Sequence, residues 1–479
     1  MNLCATSASL CVPEQLRVKL INFKQVRQYH LDHPKKPSPA RGSKILIAGF
    51  AGIILIGTIL LNLPAATQTP GSLPWLDALF TAVSATTVTG LVVTSTYDTF
   101  SIFGQIVILI LIQVGGVGFI TLSVVLFRLI GRRVSLYERN LLRQTLGVEA
   151  GEGIVQLTLA VLAVTVIIEL IGAALLFTQW VQIMDWRQAA YYSIFHSVSA
   201  FCNAGFDLFT GLDDPVVTYT QRNPLILMVM SVLITIGTLG ITVIYDLIEW
   251  PRDRHLSLHT RLVLPFTLIL MAIGTVLVMI DEVFVGGDAL AIFSVGERWL
   301  VAFFTVVSSR TAGITLIPMD EMGNASQLVI MVWMFIGGAP ASMGGGVGLS
   351  TVAVVLVTLA STARGYNDVR IFERTLPTET IVKAVAVLTV SIALVVSVTL
   401  LLLLLGADDL FAVAFEVISA FSNTGYSLGI TSGFGPAGKL LLAFTMFWGR
   451  LGPLTLIVAL AQRHRTTLIH YPEEKIIIG

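Results

Sequence analysis

The sequence predicts an all-α polytopic membrane protein: four span–half-helix–span repeats around a central pore, with pseudo-fourfold symmetry. Three observations carry that prediction. Of the 479 residues, 55% are apolar and only 12% are Asp, Glu, Lys or Arg, and the mean hydropathy is +0.85. A soluble domain carries roughly 25% charged residues, so a chain this long with so few must be solvated by lipid. The apolar segments alternate between lengths that cross a bilayer and lengths that do not. Finally, a glycine-ended phrase recurs four times at near-constant spacing.

Taken in order, residues 1–44 are a basic cytoplasmic segment with eight Lys/Arg. They hold no apolar run long enough for a signal-peptide core. Residues 14–30 fit either a basic amphipathic helix on the inner membrane surface or a plain basic tail. Pro34, Pro37 and Pro39 mark a linker. Eight long apolar segments follow, at 45–63, 102–130, 154–180, 225–248, 262–285, 328–363, 381–405 and 439–461. Each is able to span ~30 Å of hydrocarbon. The gaps after the second, fourth and sixth segments are polar and basic. The other gaps hold a shorter apolar stretch, at 75–85, 186–201, 297–308 and 409–421. Such stretches are too short to cross and return, and read as re-entrant half-helices.

Each half-helix runs into a similar phrase. The four candidate filter segments are Thr86, Thr87, Val88, Thr89 and Gly90; Cys202, Asn203, Ala204 and Gly205; Arg310, Thr311, Ala312 and Gly313; and Ser422, Asn423, Thr424 and Gly425. Their glycines lie 115, 108 and 112 residues apart. A single Asn-Ala-Gly reads as an ordinary helix-ending turn; four in register read as a repeat. The repeats are 45–130, 131–248, 249–363 and 364–461, with a tail at 462–479.

The N-terminal segment, the loops between repeats with the span ends that border them (Arg128 and Lys383) and the tail carry 23 of the 29 Lys/Arg, which places both termini on the cytoplasmic side of the membrane. Outer acids include Asp98, Asp207, Asp213, Asp214, Asp281, Asp320, Asp408 and Glu416. They are expected to concentrate cations at the mouth. Each repeat has an even number of full spans, so all four share one orientation around an axis along the membrane normal. Glycine permits φ > 0, which turns the preceding carbonyl inward, and a ring of carbonyls replaces the water shell of a cation. The half-helices point their partly negative C-terminal ends at the cavity. Together these features select a cation without choosing K⁺ over Na⁺.

The chain resembles the pore subunit of the Ktr/Trk/HKT potassium-uptake superfamily over about residues 45–479. It is most similar to the KtrB branch through Phe447-Trp-Gly-Arg-Leu-Gly-Pro-Leu-Thr455 and the ending Tyr471-Pro-Glu-Glu-Lys-Ile-Ile-Ile-Gly479. The resemblance implies K⁺ held at the filter carbonyls as substrate, with Na⁺ as activator or co-ion. Plant HKT relatives with Ser at the first filter glycine carry Na⁺, so four glycines favour K⁺. It also implies a homodimer, with Ile476–Ile478 in its interface, and a cytoplasmic ring of RCK-type (KtrA-like) nucleotide-binding subunits. Arg132, Arg133, Arg139, Arg143, Arg252, Arg254 and Arg261 are expected to dock that ring or to anchor on anionic lipid.

The candidate gate is Gly337, Gly338, Ala339, Pro340, Ala341, Ser342, Met343, Gly344, Gly345, Gly346, Val347 and Gly348, together with Arg450. Six glycines and a proline cannot hold a helix, at about 1 kcal/mol per Gly and about 3 per Pro. Relatives often read Gly-Gly-Ile-Lys where this chain has Gly345-Gly-Val-Gly348, so no lysine acts electrostatically here. Arg450 sits mid-span, where an arginine is functional by default: either a barrier to cations or half of a buried ion pair. Pro453 should loosen the helix beyond it. Arg310 is expected to brace the filter by pairing with Glu297 or Glu416. Glu169 is a second intramembrane charge with no partner evident from sequence. His196 is expected to hydrogen-bond its neighbours and Cys202 to pack as a small side chain.

Three cysteines exclude a disulfide framework and a Cys/His zinc cluster. No Ser/Lys dyad, paired intramembrane Asp, HExxH or Walker A motif is present, so no enzyme is expected; nor is a nucleic-acid partner. The competing reading is an alternating-access secondary transporter for Na⁺ or another cation. That reading calls for inverted halves, which the even-span repeats do not supply.

Overall fold

The computed structural model describes residues 39–69, 71, 73–118, 154–209, 215–340, 342–366 and 368–452. The expected N-terminal helix, the arginines of the first inner loop, Asp213, Asp214, Ala341, Pro453 and the 471–479 ending lie outside the described residues. Each of four units contributes a long helix, a half-helix and a second helix. The first unit has α1 (Pro39–Leu61), α2 (Trp75–Thr87) and α3 (Ile102–Val117). The second has α4 (Ile154–Trp180), α5 (Trp186–Cys202), α6 (Pro224–Leu239) and its continuation α7 (Ile241–Asp253). The third has α8 (Leu258–Ile280), α9 (Val295–Ser309), α10 (Asn324–Phe335) and α11 (Leu349–Ala363). The fourth has α12 (Thr378–Leu404), α13 (Leu410–Ser422) and α14 (Pro436–Leu451). A two-residue β-hairpin, Arg370–Ile371 against Arg374–Thr375, lies between the third and fourth units.

The long helices are apolar all round, as helices solvated by lipid must be. Large side chains such as Leu170, Ile171, Leu268, Ile269, Val396 and Leu400 are exposed on the outside of the bundle. The half-helices start where their caps put them. Asp185 accepts from the Arg187 N–H, Ser294 and Glu297 form a reciprocal capping box, and Asp409 accepts from Phe411 N and Ala412 N. Each half-helix packs against both helices of its own unit. The second helix of each unit then packs on the half-helix of the next: α3 on α5, α6 on α9, α10 on α13 and α14 on α2. This cycle closes, which is the pseudo-fourfold arrangement. An ion pair seals the last junction, with Lys439 Nζ 2.7 Å from Asp77 Oδ1 and both side chains mostly buried.

The sixth apolar segment breaks between α10 and α11, as its glycines and proline require. The second, fourth and eighth segments read as unbroken, and here the structure differs. The α3 helix ends at Gly118 (φ 90°), α6 at Gly240 (φ 82°) and α14 at Gly452 (φ 81°). Three residues before each break sits another glycine packed on a carbonyl at the end of its own half-helix. Gly115 meets Thr86 O, Gly237 meets Phe201 O and Gly449 meets Phe421 O, closely enough that any Cβ would collide. A Gly-x-x-Gly pair therefore docks each of these second helices and then ends it.

Candidate functional site

The site begins where the half-helices stop. Val88, Asn203 and Asn423 all take the left-handed conformation, at φ 58°, 58° and 53°. Asn tolerates that region through its short polar side chain. Val88 is β-branched and strained there; it is held by its own N–H to Ala85 O and by Thr89 N to Ser84 O at 2.8 Å. Ala204 N to Ser199 O (2.8 Å) and Thr424 N to Ser419 O (3.0 Å) repeat the second bond. In the third unit Gly313 N itself bonds Ser308 O at 2.9 Å, and Thr311 takes the positive φ of 90°. The third segment is thus one residue shorter between serine anchor and glycine, an offset hidden when the phrases are aligned on their glycines.

The four glycines then meet. Gly90, Gly205, Gly313 and Gly425 all have positive φ, between 61° and 98°. A Cβ on Gly90 would lie 2.6 Å from Ala204 O, and one on Gly205 would lie 2.7 Å from Ala312 O. On Gly313 it would strike Thr424 O, and on Gly425 it would strike Thr89 O. Each glycine thus abuts the carbonyl that precedes the next unit's glycine, and the fourth returns to the first. The result is a closed ring of backbone with no room for side chains. Around it run side-chain ties between units: Asn423 Nδ2 donates to Thr89 Oγ1 (2.8 Å) and the Tyr426 hydroxyl donates to Thr305 O (3.1 Å). Within its own unit Asn423 Nδ2 also donates to Met446 O (2.9 Å). Thr87 with Thr89 and Ser422 with Thr424 form matching hydroxyl pairs at 2.7 and 2.9 Å.

The interrupted segment presses on this ring from the half-helix side. Gly344 packs on Thr311, Gly345 on Asn423 and Gly346 (φ 77°) on Ser422. Its own hydrogen bonds include Gly337 N to Val347 O at 3.0 Å, Leu349 N to Gly338 O at 2.9 Å and Ser342 N to Ala339 O at 3.1 Å. It takes two more from the second unit, through Ala339 N to Thr238 O (2.9 Å) and Met343 N to Gly237 O (3.1 Å). Arg450 completes the attachment. Its guanidinium donates to Met343 O, to Gly115 O and, at 3.1 Å, to Gly116 O. The second and fourth units therefore hold this loop of the third in place, and the first unit holds Arg450. Among the described residues Arg450 has no acidic partner, so the expected buried ion pair is not found: its hydrogen-bond acceptors are backbone oxygens.

Several single residues fall differently from expectation. Arg310 is fully buried, yet it pairs with neither Glu297 nor Glu416; Nη2 donates to Gly337 O at 3.3 Å. Glu297 is engaged in capping α9. Glu416, expected among the outer acids, is buried and accepts from Ser427 Oγ (2.6 Å), Leu428 N (3.0 Å) and Thr431 Oγ1 (2.7 Å). Asp207 and Asp281 are buried too, whereas Asp98, Asp320 and Asp408 are exposed. Glu169 gains the partner that sequence could not name, since Gln113 Nε2 donates to it at 3.1 Å and the Cys202 thiol lies beside it. His196 bonds Tyr192 O and Leu208 N, stacked on Phe209. Sequence reasoning missed the Gly115, Gly237 and Gly449 docking points, although the thrice-repeated Gly-x-x-Gly spacing was there to be read.

Comparison with known proteins gives a consistent set of similarities. A family model described as a cation transport protein, TrkH, matches residues 17–468. The Ktr system potassium uptake protein B of Vibrio alginolyticus is 35% identical over 463 residues, covering 96% of this chain and 100% of the relative. The potassium/sodium uptake protein NtpJ of Enterococcus hirae is 33% identical over 451 residues, covering 93% and 98%. Among solved structures, the potassium transporter TrkH from Vibrio parahaemolyticus superimposes with a TM-score of 0.68 at 17% identity, over 92% of this chain and 89% of that one. That last likeness speaks to the fold.

Proposed function

The chain belongs to the TrkH family of cation transport proteins, and from that premise we propose that it takes up K⁺ through the glycine ring, with the 337–348 loop as gate. The observation that carries the proposal is the cyclic meeting of Gly90, Gly205, Gly313 and Gly425 against the carbonyls of Ala204, Ala312, Thr424 and Thr89. Oxygens in a ring exchange for the hydration shell of an ion. The partly negative ends of α2, α5, α9 and α13 favour a cation there. The named substrates of the relatives support potassium. The NtpJ name, potassium/sodium, supports Na⁺ as activator or coupled ion.

In this reading both termini are cytoplasmic and the pore subunit works as a homodimer with a soluble nucleotide-binding ring. The word "system" in the name of the Vibrio relative supports more than one component. The direct test is growth of a K⁺-uptake-deficient bacterium at low K⁺, with and without Na⁺ and a KtrA-like partner. Rescue that depends on the Gly90, Gly205, Gly313 and Gly425 ring is expected. Failure to rescue in every combination, with the protein in the membrane, overturns the proposal.

Shortening the loop is a second test. Deleting residues 339–345 removes the stretch that touches Thr311, Thr238 and Asn423. The two ends already lie side by side, because Gly337 N bonds Val347 O and a Cβ on Gly337 would be 3.2 Å from Gly346 Cα. The flanking helices can therefore stay where they are, and the maximal K⁺ uptake rate per folded molecule is expected to rise several-fold. A rate equal to that of the intact chain would mean that the interruption is a packing kink.

A further inference from the structure

We propose that Asp281, Glu282 and Ser326 hold a hard, oxygen-liganded cation at a site separate from the glycine ring. The α8 helix does not end cleanly. It widens into a π-turn, Asp281–Val285, closed by Gly286 at φ 119°. In a regular helix neighbouring residues point about 100° apart. Here consecutive carboxylates converge on the segment that opens α10. Asp281 Oδ2 accepts from Ser326 N at 2.7 Å, and Glu282 Oε1 accepts from Gly323 N at 2.9 Å. Both acids are buried, at 6% and 4% exposure. Among the described residues neither has an ion-pair partner from Lys, Arg or His.

Capping of α10 accounts for half of this arrangement and leaves the rest unexplained. The start of α10 offers a partial positive charge, and the end of α8 offers a partial negative one of like size. The two offset each other, and two full negative charges remain. Two buried oxygens also have no hydrogen-bond partner: Glu282 Oε2, and the hydroxyl of Ser326, a residue with no exposed surface. The unpartnered hydroxyl belongs to the residue whose N–H bonds Asp281 Oδ2, and it is not itself hydrogen-bonded to that carboxylate. The backbone is drawn in around the carboxylates as well. A Cβ on Gly323 would strike Asp281 Oδ2, and one on Gly287 would strike Glu282 Oε2. Two carboxylates and a hydroxyl, with water and carbonyls completing the shell, make the donor set of a hard cation. The double charge matches Ca²⁺ first and Na⁺ second.

The test is the unfolding temperature of the full-length protein in detergent, with K⁺ held saturating so that the glycine ring stays occupied, and ionic strength held constant with choline. A saturable rise with Ca²⁺ or with Na⁺ is expected, and which arm responds identifies the ion. Glu282→Gln keeps the acceptor for Gly323 N while removing the charge, and should abolish the rise. Ser326→Ala removes a hydroxyl with no partner, so it should leave the cation-free protein at least as stable while weakening the response several-fold. Asp320→Asn, an exposed neighbour, should respond as the parent does. The proposal is overturned if neither cation acts on the parent, or if Ser326→Ala and Glu282→Gln respond unchanged.

Discussion

A serine at Gly313 or Gly425 is expected to cost the protein most of its K⁺ preference, with about a tenfold or greater weakening of K⁺ uptake affinity. Two effects add. The first is conformational: an L-residue forced into the positive-φ region loses roughly 1–2 kcal/mol, which is about a factor of ten in an equilibrium. The second is spatial. A Cβ at either position would run into the carbonyl of the preceding residue in the adjoining segment, Thr424 O for Gly313 and Thr89 O for Gly425. Gly90 and Gly205 have slightly more room, at 2.6 and 2.7 Å from Ala204 O and Ala312 O, so their serine variants should lose less. The measurement is K⁺ uptake against competing Na⁺ for all four variants. Unchanged K⁺ affinity throughout would remove these glycines from the ion path.

Arg450→Ala is expected to raise the maximal uptake rate by as much as about a hundredfold, with little change in affinity at the ring. A fixed guanidinium ~6 Å from a passing ion repels it by about 3 kcal/mol at an effective dielectric of ~20, which is about two powers of ten. Removing the side chain also releases Met343 O, the point at which the loop is tied to the fourth unit. The opposing effect is stability: each buried carbonyl left without a donor costs about 1–3 kcal/mol, and Gly115 O and Gly116 O are also released. Arg450→Gln separates the two contributions, because it discards the charge and keeps two donors. Uptake must be normalised to folded protein in the membrane. Reduced flux per folded molecule in both variants would eliminate the barrier, and disappearance of the alanine variant alone would make Arg450 chiefly a clamp.

Much of the candidate site was legible as pattern. The half-helices were legible as short apolar stretches starting at 75, 186, 297 and 409, and the structure starts them at Trp75, Trp186, Val295 and Leu410. The ring glycines are legible because the repeat announces itself four times. The break at 337–348 is legible because six glycines and a proline defeat a helix wherever they occur. The burial of Asp207, Asp281 and Glu416 was not legible, for the opposite reason. Whether a carboxylate faces water or a serine hydroxyl depends on where the following loop folds back, as Glu416 shows with Ser427 and Thr431. Arg310 was misassigned in the same way: its acceptor is a backbone oxygen at Gly337, and a carbonyl leaves no trace in residue identity.

By itself, then, the sequence determined a lipid-solvated four-unit chain, the even number of spans that gives every unit one orientation, and the four places where only glycine suits the backbone. These are local or periodic properties, set by transfer of apolar side chains into lipid and by allowed φ values. Only the tertiary structure decided the order of units around the ring, the one-residue offset in the third segment, the docking of Gly115, Gly237 and Gly449 on half-helix carbonyls, and the attachment of the loop by Arg450. Each of these rests on backbone oxygens meeting groups far away in the chain: 335 residues separate Arg450 from Gly115. Every residue carries the same carbonyl, so which of them becomes a partner is settled by close packing and not by the letters of the sequence.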